Sequence, residues 1–294
     1  MIQFRDLELS DIPKVRTFFE KYASRSCDAT IGGAFMWRKY FETQIYFDDT
    51  VLLFKVRRSV DSTAFLTPYG DWKRGFALIF DYCRETGMQP AFCAVTNREL
   101  PYYEEHFRID MIKFNRKWSD YLYEAEKHRT FAGKKLSGQR NHVNKFLKSY
   151  DNWSFEDVTP DNLEETRAFC MEIEHQRAKE SSTYEAEEEI LGEVFDHYDE
   201  YGFFGNILRV DGQIIAMAMG EIIGDTLFVH IEKARRDYFG AFQMMVREFA
   251  RAHTGGEVQY INREDDSGDE GLRTSKLSYQ PMELLDKATV TLKL

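Results

Sequence analysis

The pattern of apolar and polar positions along the chain repeats once, with the same order of elements. Residues 4–18 and 155–169 align without a gap, the second stretch starting 151 residues after the first (155 minus 4). Each stretch alternates briefly, passes through a polar turn that offers a helix N-cap, and continues with apolar residues at helical spacing. The pattern predicts a strand, a turn and an amphipathic helix at both places.

Four further pairs of segments match in the same order. The members of each pair predict the same element, namely a strand, its hairpin partner, a helix, and a strand that ends in Asn-Arg-Glu. These pairs are 51–56 with 207–210, 64–69 with 216–221, 75–83 with 240–249, and 92–99 with 258–264. One match alone is weak, but the common order indicates an internal duplication. Asp211-Gly212 between two apolar strands predicts a tight hairpin turn.

These elements predict an α/β fold, with a mixed sheet flanked by helices in each copy and mostly antiparallel neighbouring strands. We expect an N-terminal domain at residues 1–125 and a C-terminal domain at 151–294. A basic connecting helix is expected between them, at 126–150.

The connecting segment carries cations without acids. After Glu126 no acidic residue appears until Asp151, and apolar residues at helical spacing predict a face that packs. The cations are Lys127, Arg129, Lys134, Lys135, Arg140, Lys145 and Lys148, and the apolar positions are Leu136, Val143, Phe146 and Leu147. The opposite face either binds phosphates, through Lys134, Lys135, Arg140 and Lys145, or is simply solvated.

Composition limits the possible functions. A hydrophobic content of 43% and a charged content of 30% are normal for a folded soluble protein. No stretch reaches the roughly 18 apolar residues of a membrane span, and the start of the chain has no signal-peptide core, so we expect a cytoplasmic protein. The four cysteines stand singly in apolar contexts, which predicts reduced, buried thiols. A net charge of −11 means that contact with a polyanion needs a local basic patch.

Charged residues gather at the ends of two predicted strands. Simple alternation places His230 and Glu232 on one side of a strand and Lys233 on the other. His230 and Glu232 then serve either as a general base with its orienting carboxylate or as part of a buried network with Arg263. Asn262 and Arg263 look catalytic or ligand-orienting.

The Asn-Arg-Glu motif also ends a strand in the first copy, at 97–99. A feature of both copies is equally consistent with a structural arginine–carboxylate clamp. What the first copy lacks is the segment around His230 and a helix whose Arg273, Lys276 and Tyr279 share one face. We place the site on these additions.

Other motifs are weak. The acidic loop from Asp265 fails as a calcium loop, because Glu270 stands at its sixth position and Lys276 at its twelfth. No metal site is predicted. The arginines before Gly240 open a helix after a strand, as the pyrophosphate loop of acyl-CoA N-acetyltransferases does, but the spacing is wrong and counts against coenzyme A.

Five motifs together resemble a bacterial family similar to the C-terminal domain of phosphatidylglycerol lysyltransferases. They begin at Gly133, His230, Gly240, Tyr260 and Gly271, and the resemblance covers essentially the whole chain. It implies two tandem domains of the GCN5-related N-acetyltransferase fold, as in the Fem-type peptidoglycan aminoacyltransferases. The chain lacks the transmembrane helices of the full-length lipid enzymes, which makes a lipid acceptor doubtful.

The resemblance implies transfer of an aminoacyl group from aminoacyl-tRNA to an amine or hydroxyl, with no cofactor. His230, Glu232 and Arg263 are then the candidate catalytic residues. The candidate substrate-binding residues are Lys134, Lys135, Arg140, Asn144, Lys145, Lys233, Asn262, Arg273, Lys276 and Tyr279. The alternatives are a non-catalytic module that binds anions or tRNA, and an acyl-CoA-dependent N-acetyltransferase.

Overall fold

A computed structural model describes residues 2–59, 62–178 and 184–294 of the chain. It confirms the mixed α/β fold, with two mixed sheets and helices. The first unit comprises Met1–Asp120, Asp265–Glu270 and Leu284–Leu294; the second comprises Tyr121–Glu264 and Gly271–Glu283. These units differ from the continuous ranges that the sequence predicts.

The described helices and strands follow one another along the chain as the sequence pattern suggests. The helices are α1 (Ile12–Lys21), α2 (Trp72–Thr86), α3 (Leu100–His106), α4 (Ala125–Thr130), α5 (Ser137–Ser149), α6 (Leu163–Ala178), α7 (Tyr184–Asp196), α8 (Tyr198–Tyr201), α9 (Ala241–His253) and α10 (Glu270–Ser278). The strands are β1 (Arg5–Asp6), β2 (Gln44–Phe47), β3 (Val51–Ser59), β4 (Ser62–Phe65), β5 (Tyr69–Gly70), β6 (Ala91–Thr96), β7 (Ile109–Phe114), β8 (Asp120–Glu124), β9 (Trp153–Asp157), β10 (Phe204–Val210), β11 (Gln213–Ile223), β12 (Thr226–Ala234), β13 (Tyr260–Asn262), β14 (Glu283–Leu285) and β15 (Lys287–Leu292). Short 3₁₀ turns lie at Leu9–Asp11, Cys27–Ala29 and Arg116–Trp118, and a π-helical turn at Gly32–Met36.

The sheet of the first unit has the strand order β1-β2-β3-β4-β6-β15-β7, with β5 beside β3. Strands β4 and β6 are parallel, whereas β2–β3 and β6–β15 are antiparallel. Aromatic side chains fill its core, among them Phe65, Phe76, Phe92 and Tyr103. The C-terminal strand β15 therefore completes the sheet of the first unit.

The sheet of the second unit has the order β14-β8-β13-β12-β11-β10-β9. Strands β12 and β13 are parallel, and the other pairings through β9 to β12 are antiparallel. Helix α9 packs on β10, β11 and β12, and helix α6 packs on β11 and β12. The predicted hairpin turn is confirmed, since Asp211 and Gly212 both have positive φ between β10 and β11.

The basic segment differs from the single helix predicted at 126–150. It forms two helices, α4 and α5, and Lys134 and Lys135 lie in the turn between them. Val143 and Phe146 are buried and anchor α5 as predicted, but Leu147 is 37% exposed and is not part of that face. Gly133, with φ of 93°, falls where the helix is interrupted.

Among the described residues, no helix is both long enough and apolar enough to cross a membrane. All four cysteines lie among the described residues; none forms a disulfide and all are buried, as the sequence predicts.

Candidate functional site

Two neighbouring parallel strands of the second unit differ in length at their carboxyl ends. Strands β12 and β13 pair over three residues, from Thr226 with Tyr260 to Phe228 with Asn262. Strand β13 then ends, whereas β12 continues for six more residues to Ala234 (234 minus 228). His230, Glu232, Lys233, Arg263 and Glu264 follow the last of these residue pairs.

A β-bulge centred on His230 shapes β12 at this point. Val229 pairs with Gly220 and Ile231 pairs with Met219, so His230 is the extra residue of the bulge. Gly220 is required opposite it, because a Cβ at this position would lie 2.0 Å from the carbonyl oxygen of Phe228.

The bulge overturns the predicted alternation. Glu232 lines a cavity together with Val229 and Phe249 of α9, whereas Lys233 pairs with Glu174 of α6. His230 contacts the ring of Phe203, with ring centroids 5.1 Å apart. Glu232 therefore faces α9, and His230 does not lie beside it. The prediction that His230 and Glu232 share a side was wrong, because one inserted residue reverses the alternation that follows it.

His230 lies between two carboxylates. Its Nδ1 is 2.7 Å from Oε1 of Glu264 and its Nε2 is 2.9 Å from Oε1 of Glu221, and its side chain is fully buried. Burial alone would lower the pKa of His230, but the hydrogen bonds and charges of the two glutamates outweigh it and raise the pKa to about 9. His230 is therefore an imidazolium at neutral pH, donating from both nitrogens, and is poorly suited to act as a base.

Glu232 is held by Arg263. The Nη2 of Arg263 lies 2.5 Å from Oε2 of Glu232, and the exposed fractions of the two side chains are 5% and 12%. The guanidinium lies near three aromatic rings, with Tyr279 at 4.6 Å from the centroid and Phe242 at 5.4 Å. Burial opposes the charge of Arg263, but the charge of Glu232 outweighs it and raises the arginine pKa. The buried network that the sequence offered as an alternative is therefore present.

A small cavity of about 10 Å³ borders this pair, and His128 of α4 lines it with Glu232 and Arg263. Within the described part of the chain, neither ring nitrogen of His128 has a hydrogen-bond partner, nor do Nε and Nη1 of Arg263. Burial and the charge of Arg263 hold the pKa of His128 well below its ordinary value, so this imidazole is neutral. His128 was not among the residues predicted from the sequence, although its spacing of three from Ala125 and Phe131, which are both buried, indicated an inward-facing position.

The two Asn-Arg-Glu motifs have different structures. Asn262 and Arg263 are buried, and the Oδ1 of Asn262 accepts a hydrogen bond from the backbone N–H of Glu264, which has a φ of 55°. In the first unit, residues 97 and 98 are exposed and Glu99 instead accepts hydrogen bonds from Thr96. The two motifs therefore differ in burial and in the contacts of their glutamate, and a clamp common to both copies stays an interpretation.

Helix α10 turns its predicted face inward. The Nζ of Lys276 donates to the carbonyl oxygen of Arg263 at 2.6 Å, and Tyr123 donates to the carbonyl oxygen of Lys276 at 2.8 Å. Tyr279 is buried, which raises its pKa, and Arg273 is half-buried. Lys276 and Tyr279 thus share a face as predicted, but that face supports the strand end.

The predicted phosphate-binding residues lie on the surface of the second unit, except for one. Lys134, Lys135, Asn144 and Lys145 are exposed. Arg140 is half-buried and donates to the carbonyl oxygens of residues 131 and 133, so it holds the turn before α5.

Helix α5 also connects the elements around the site. Gln139 donates to the Oγ of Ser278 at 2.7 Å, which ties α5 to α10. At the start of α9, a Cβ on Gly240 would lie 2.5 Å from the carbonyl oxygen of His142. The backbone of α5 therefore packs directly against the beginning of α9, where a pyrophosphate would otherwise approach.

A wider cleft of about 560 Å³ lies in the first unit and was not predicted. Its walls carry Arg38, Lys39, Lys55 and Arg57 together with three acids, Asp6, Glu8 and Glu42. Opposite charges offset one another there, as in the ion pair between Arg57 and Glu42. Buried charges also converge in the first unit, where Lys287 pairs with Asp120, but those at the end of β13 border a cavity with an imidazole that has no hydrogen-bond partner among the described residues, and we place the candidate site there.

The chain is similar to several known proteins. It is 30% identical over its full length to a conserved protein of unknown function from Bacteroides thetaiotaomicron, whose crystal structure superposes with a TM-score of 0.91 and is also fully covered. The structure of L-PGS from Bacillus licheniformis has 13% identity, a TM-score of 0.64, and coverage of 96% of this chain and 91% of that one. FemX has 11% identity, a TM-score of 0.60, and coverage of 98% and 97%. These two distant structures support the fold.

A curated relative, an uncharacterized protein of Mycoplasmoides gallisepticum, is 24% identical over 188 residues, which are 64% of this chain and 60% of that protein. The chain thus spans about 60% of that relative's length. Residues 19–290 match the family described as phosphatidylglycerol lysyltransferase, C-terminal. The chain belongs to the phosphatidylglycerol lysyltransferase C-terminal family.

Proposed function

We propose that the second unit is an acyltransferase site that moves an aminoacyl group from aminoacyl-tRNA to an amine or hydroxyl acceptor in the cytoplasm, without a cofactor. Family membership supports acyl transfer in general. The observation that carries the proposal is Glu232, a carboxylate fixed by Arg263 beyond the last paired residues of β12 and β13. A carboxylate held in a fixed orientation near a strand end is suited to a reaction in which the acceptor must lose a proton.

The reaction needs positioning more than a strong nucleophile, because the aminoacyl ester is already activated. The acceptor nitrogen or oxygen attacks the ester carbonyl, a new C–N or C–O bond forms, and the bond to the tRNA ribose oxygen breaks. Glu232 accepts a proton from the acceptor and returns that proton to the departing ribose oxygen.

Arg263 and His230 act in this scheme as positioning residues. Arg263 is too buried to reach a substrate in this structure, but it fixes the orientation of Glu232. His230 fixes Glu264 beside the same strand end through its charge and its hydrogen bond. The positive φ of Glu264 is sustained by this contact and by Asn262.

Ligand binding separates this proposal from the acyl-CoA-dependent N-acetyltransferase alternative. Aminoacyl-tRNA, deacylated tRNA and acetyl-CoA are added separately, and the thermal unfolding midpoint is measured. We expect both tRNA forms to raise the midpoint and acetyl-CoA to leave it unchanged. Stabilisation by acetyl-CoA alone would refute the proposal in favour of an N-acetyltransferase.

The basic turn before α5 is the proposed contact for tRNA phosphates. Replacing Lys134 and Lys135 together by Ala should weaken tRNA binding and lower the slope of log affinity against log salt by about 1.4–1.8, since each of the two phosphate contacts contributes about 0.7–0.9. A matched control replaces Lys127, which pairs with Glu124 on the same segment. An unchanged salt slope in the double variant would remove the basic turn from the proposal.

A further inference from the structure

Phe239, just before α9, has its ring at the surface of the second unit and in contact with α5. The ring is 39% exposed. The imidazole of His142 stacks on it, with centroids 4.8 Å apart and planes at 21°, and the Nζ of Lys145 lies 3.9 Å from its centroid. We call His142, Lys145 and Phe239 the aromatic platform.

The platform is fixed by the backbone beneath it. Gly240, with φ of 80°, allows the start of α9 to pack on the carbonyl oxygen of His142 without a side chain between them. The backbone N–H of Phe239 donates to the hydroxyl of Tyr150 at 3.2 Å. These contacts hold the ring of Phe239 against α5 at the surface rather than in the core.

The surroundings of the platform are cationic and polar. Asn144 and Lys148 on α5 and Arg236 before α9 are all exposed, while the exposed acid near Phe239 in sequence is Asp237. A single exposed apolar ring is ordinary. A ring stacked on a histidine, with Lys145 over it and a second exposed lysine, Lys148, on the same helix, combines the two contacts used for single-stranded nucleic acid, namely stacking on bases and attraction to phosphates.

We propose that the aromatic platform binds an unpaired base of single-stranded RNA by stacking, while Lys145 pairs with an adjacent phosphate. This inference rests on the proposed use of aminoacyl-tRNA, whose aminoacyl end is single-stranded. It assigns the unpaired nucleotides of that end to α5 and the start of α9. Paired regions of the tRNA contact the basic turn through their phosphates alone.

The test compares binding of a 12-nucleotide single-stranded RNA with that of a blunt 12-base-pair RNA duplex by fluorescence anisotropy. Phe239→Ala should weaken binding of the single strand about tenfold and leave the duplex unchanged, because base stacking on an aromatic side chain has about this effect and the duplex presents no free base. Phe239→Trp, which keeps a ring, should retain the affinity. Leu147→Ala is the matched control, because Leu147, which lies on α5, is an exposed apolar residue like Phe239.

Lys145→Ala should lower the salt slope for the single strand, whereas Phe239→Ala should not. His142→Ala provides a second variant of the stack in case Phe239→Ala unfolds. Equal losses for single strand and duplex, or no loss in either stack variant, would overturn the inference. So would anionic lipid vesicles that bind the wild type through Phe239 while single-stranded RNA does not. If the wild type binds neither RNA, the proposed function fails; if it binds RNA but does not depend on Phe239, the platform alone fails.

Discussion

The charge on His230 should make the stability of the second unit depend on pH. The folded pKa of about 9 lies above the ordinary value of 6.5. A group whose folded pKa is raised stabilises fully below the unfolded pKa, and the effect is lost as pH rises through the folded pKa. The pKa difference of 2.5 (9 minus 6.5) corresponds to about 3 kcal/mol of unfolding free energy, lost between pH 6.5 and 9.5. Because the His230 side chain is fully buried, screening by solvent does not reduce this contribution to the free energy of unfolding.

Urea unfolding at pH 6.5, 8 and 9.5 measures this loss. The reference is the double variant Glu221→Gln with His230→Gln, which replaces both buried ionisable groups by amides. The wild type should lose about 3 kcal/mol more than this reference over the interval. His106→Gln, at an exposed histidine, should follow the wild type. If wild type and double variant lose stability in parallel, His230 is not an imidazolium held by Glu221 and Glu264, and the argument is refuted.

Three further outcomes follow from buried contacts. Gly220→Ala should lower the free energy of unfolding by about 1–3 kcal/mol, since its Cβ would collide with the carbonyl oxygen of Phe228; an unchanged urea midpoint would contradict the bulge geometry. Lys287→Met should lower the free energy of unfolding by about 3–5 kcal/mol, because Asp120, 2.6 Å from the lysine Nζ, would be left buried without its cation. A decrease below about 1 kcal/mol in urea unfolding would contradict the importance of that pair. Burial raises the pKa of Cys170 to about 12, so iodoacetamide at pH 8 should not label it in the folded protein, as peptide mass spectrometry would show; rapid labelling would contradict its burial.

The pattern of apolar and polar positions predicted most features that depend on residues close together in the sequence. Alternation and helical spacing gave the mixed α/β fold, the hairpin at Asp211 and the anchoring of α5 by Val143 and Phe146. These features depend on neighbours in sequence, which the pattern records directly. The internal duplication stays a prediction, and so do the roles assigned to the site residues.

Non-local features could not be read in the same way. The pairing of β15 with β6 and β7 joins residues far apart in the chain, and nothing within β15 itself names its partners. The bulge at His230 requires an extra residue that alternation cannot reveal. His128 was not predicted as a site residue, because a single histidine on a charged helix does not indicate that it lines a cavity.

The charge assignment at the site likewise required the structure. In sequence, His230 and Glu232 suggested a base with its orienting acid, but the bulge separates them. His230 instead finds two carboxylates and Glu232 finds Arg263. The candidate base is therefore Glu232, and the histidine is the cation of a buried network.

The proposed aminoacyl transfer is tested by the rate at which the protein removes aminoacyl groups from a mixed pool of aminoacyl-tRNAs in the presence of amine and hydroxyl acceptors. The wild type should accelerate this loss and form an aminoacylated acceptor. Glu232→Gln should lower the rate by about 10²–10⁴-fold, the usual contribution of a general base. Glu257→Gln, at an exposed acid of the same unit, should match the wild type. If the wild type produces no aminoacylated acceptor, or if Glu232→Gln keeps the full rate, the proposed site is contradicted.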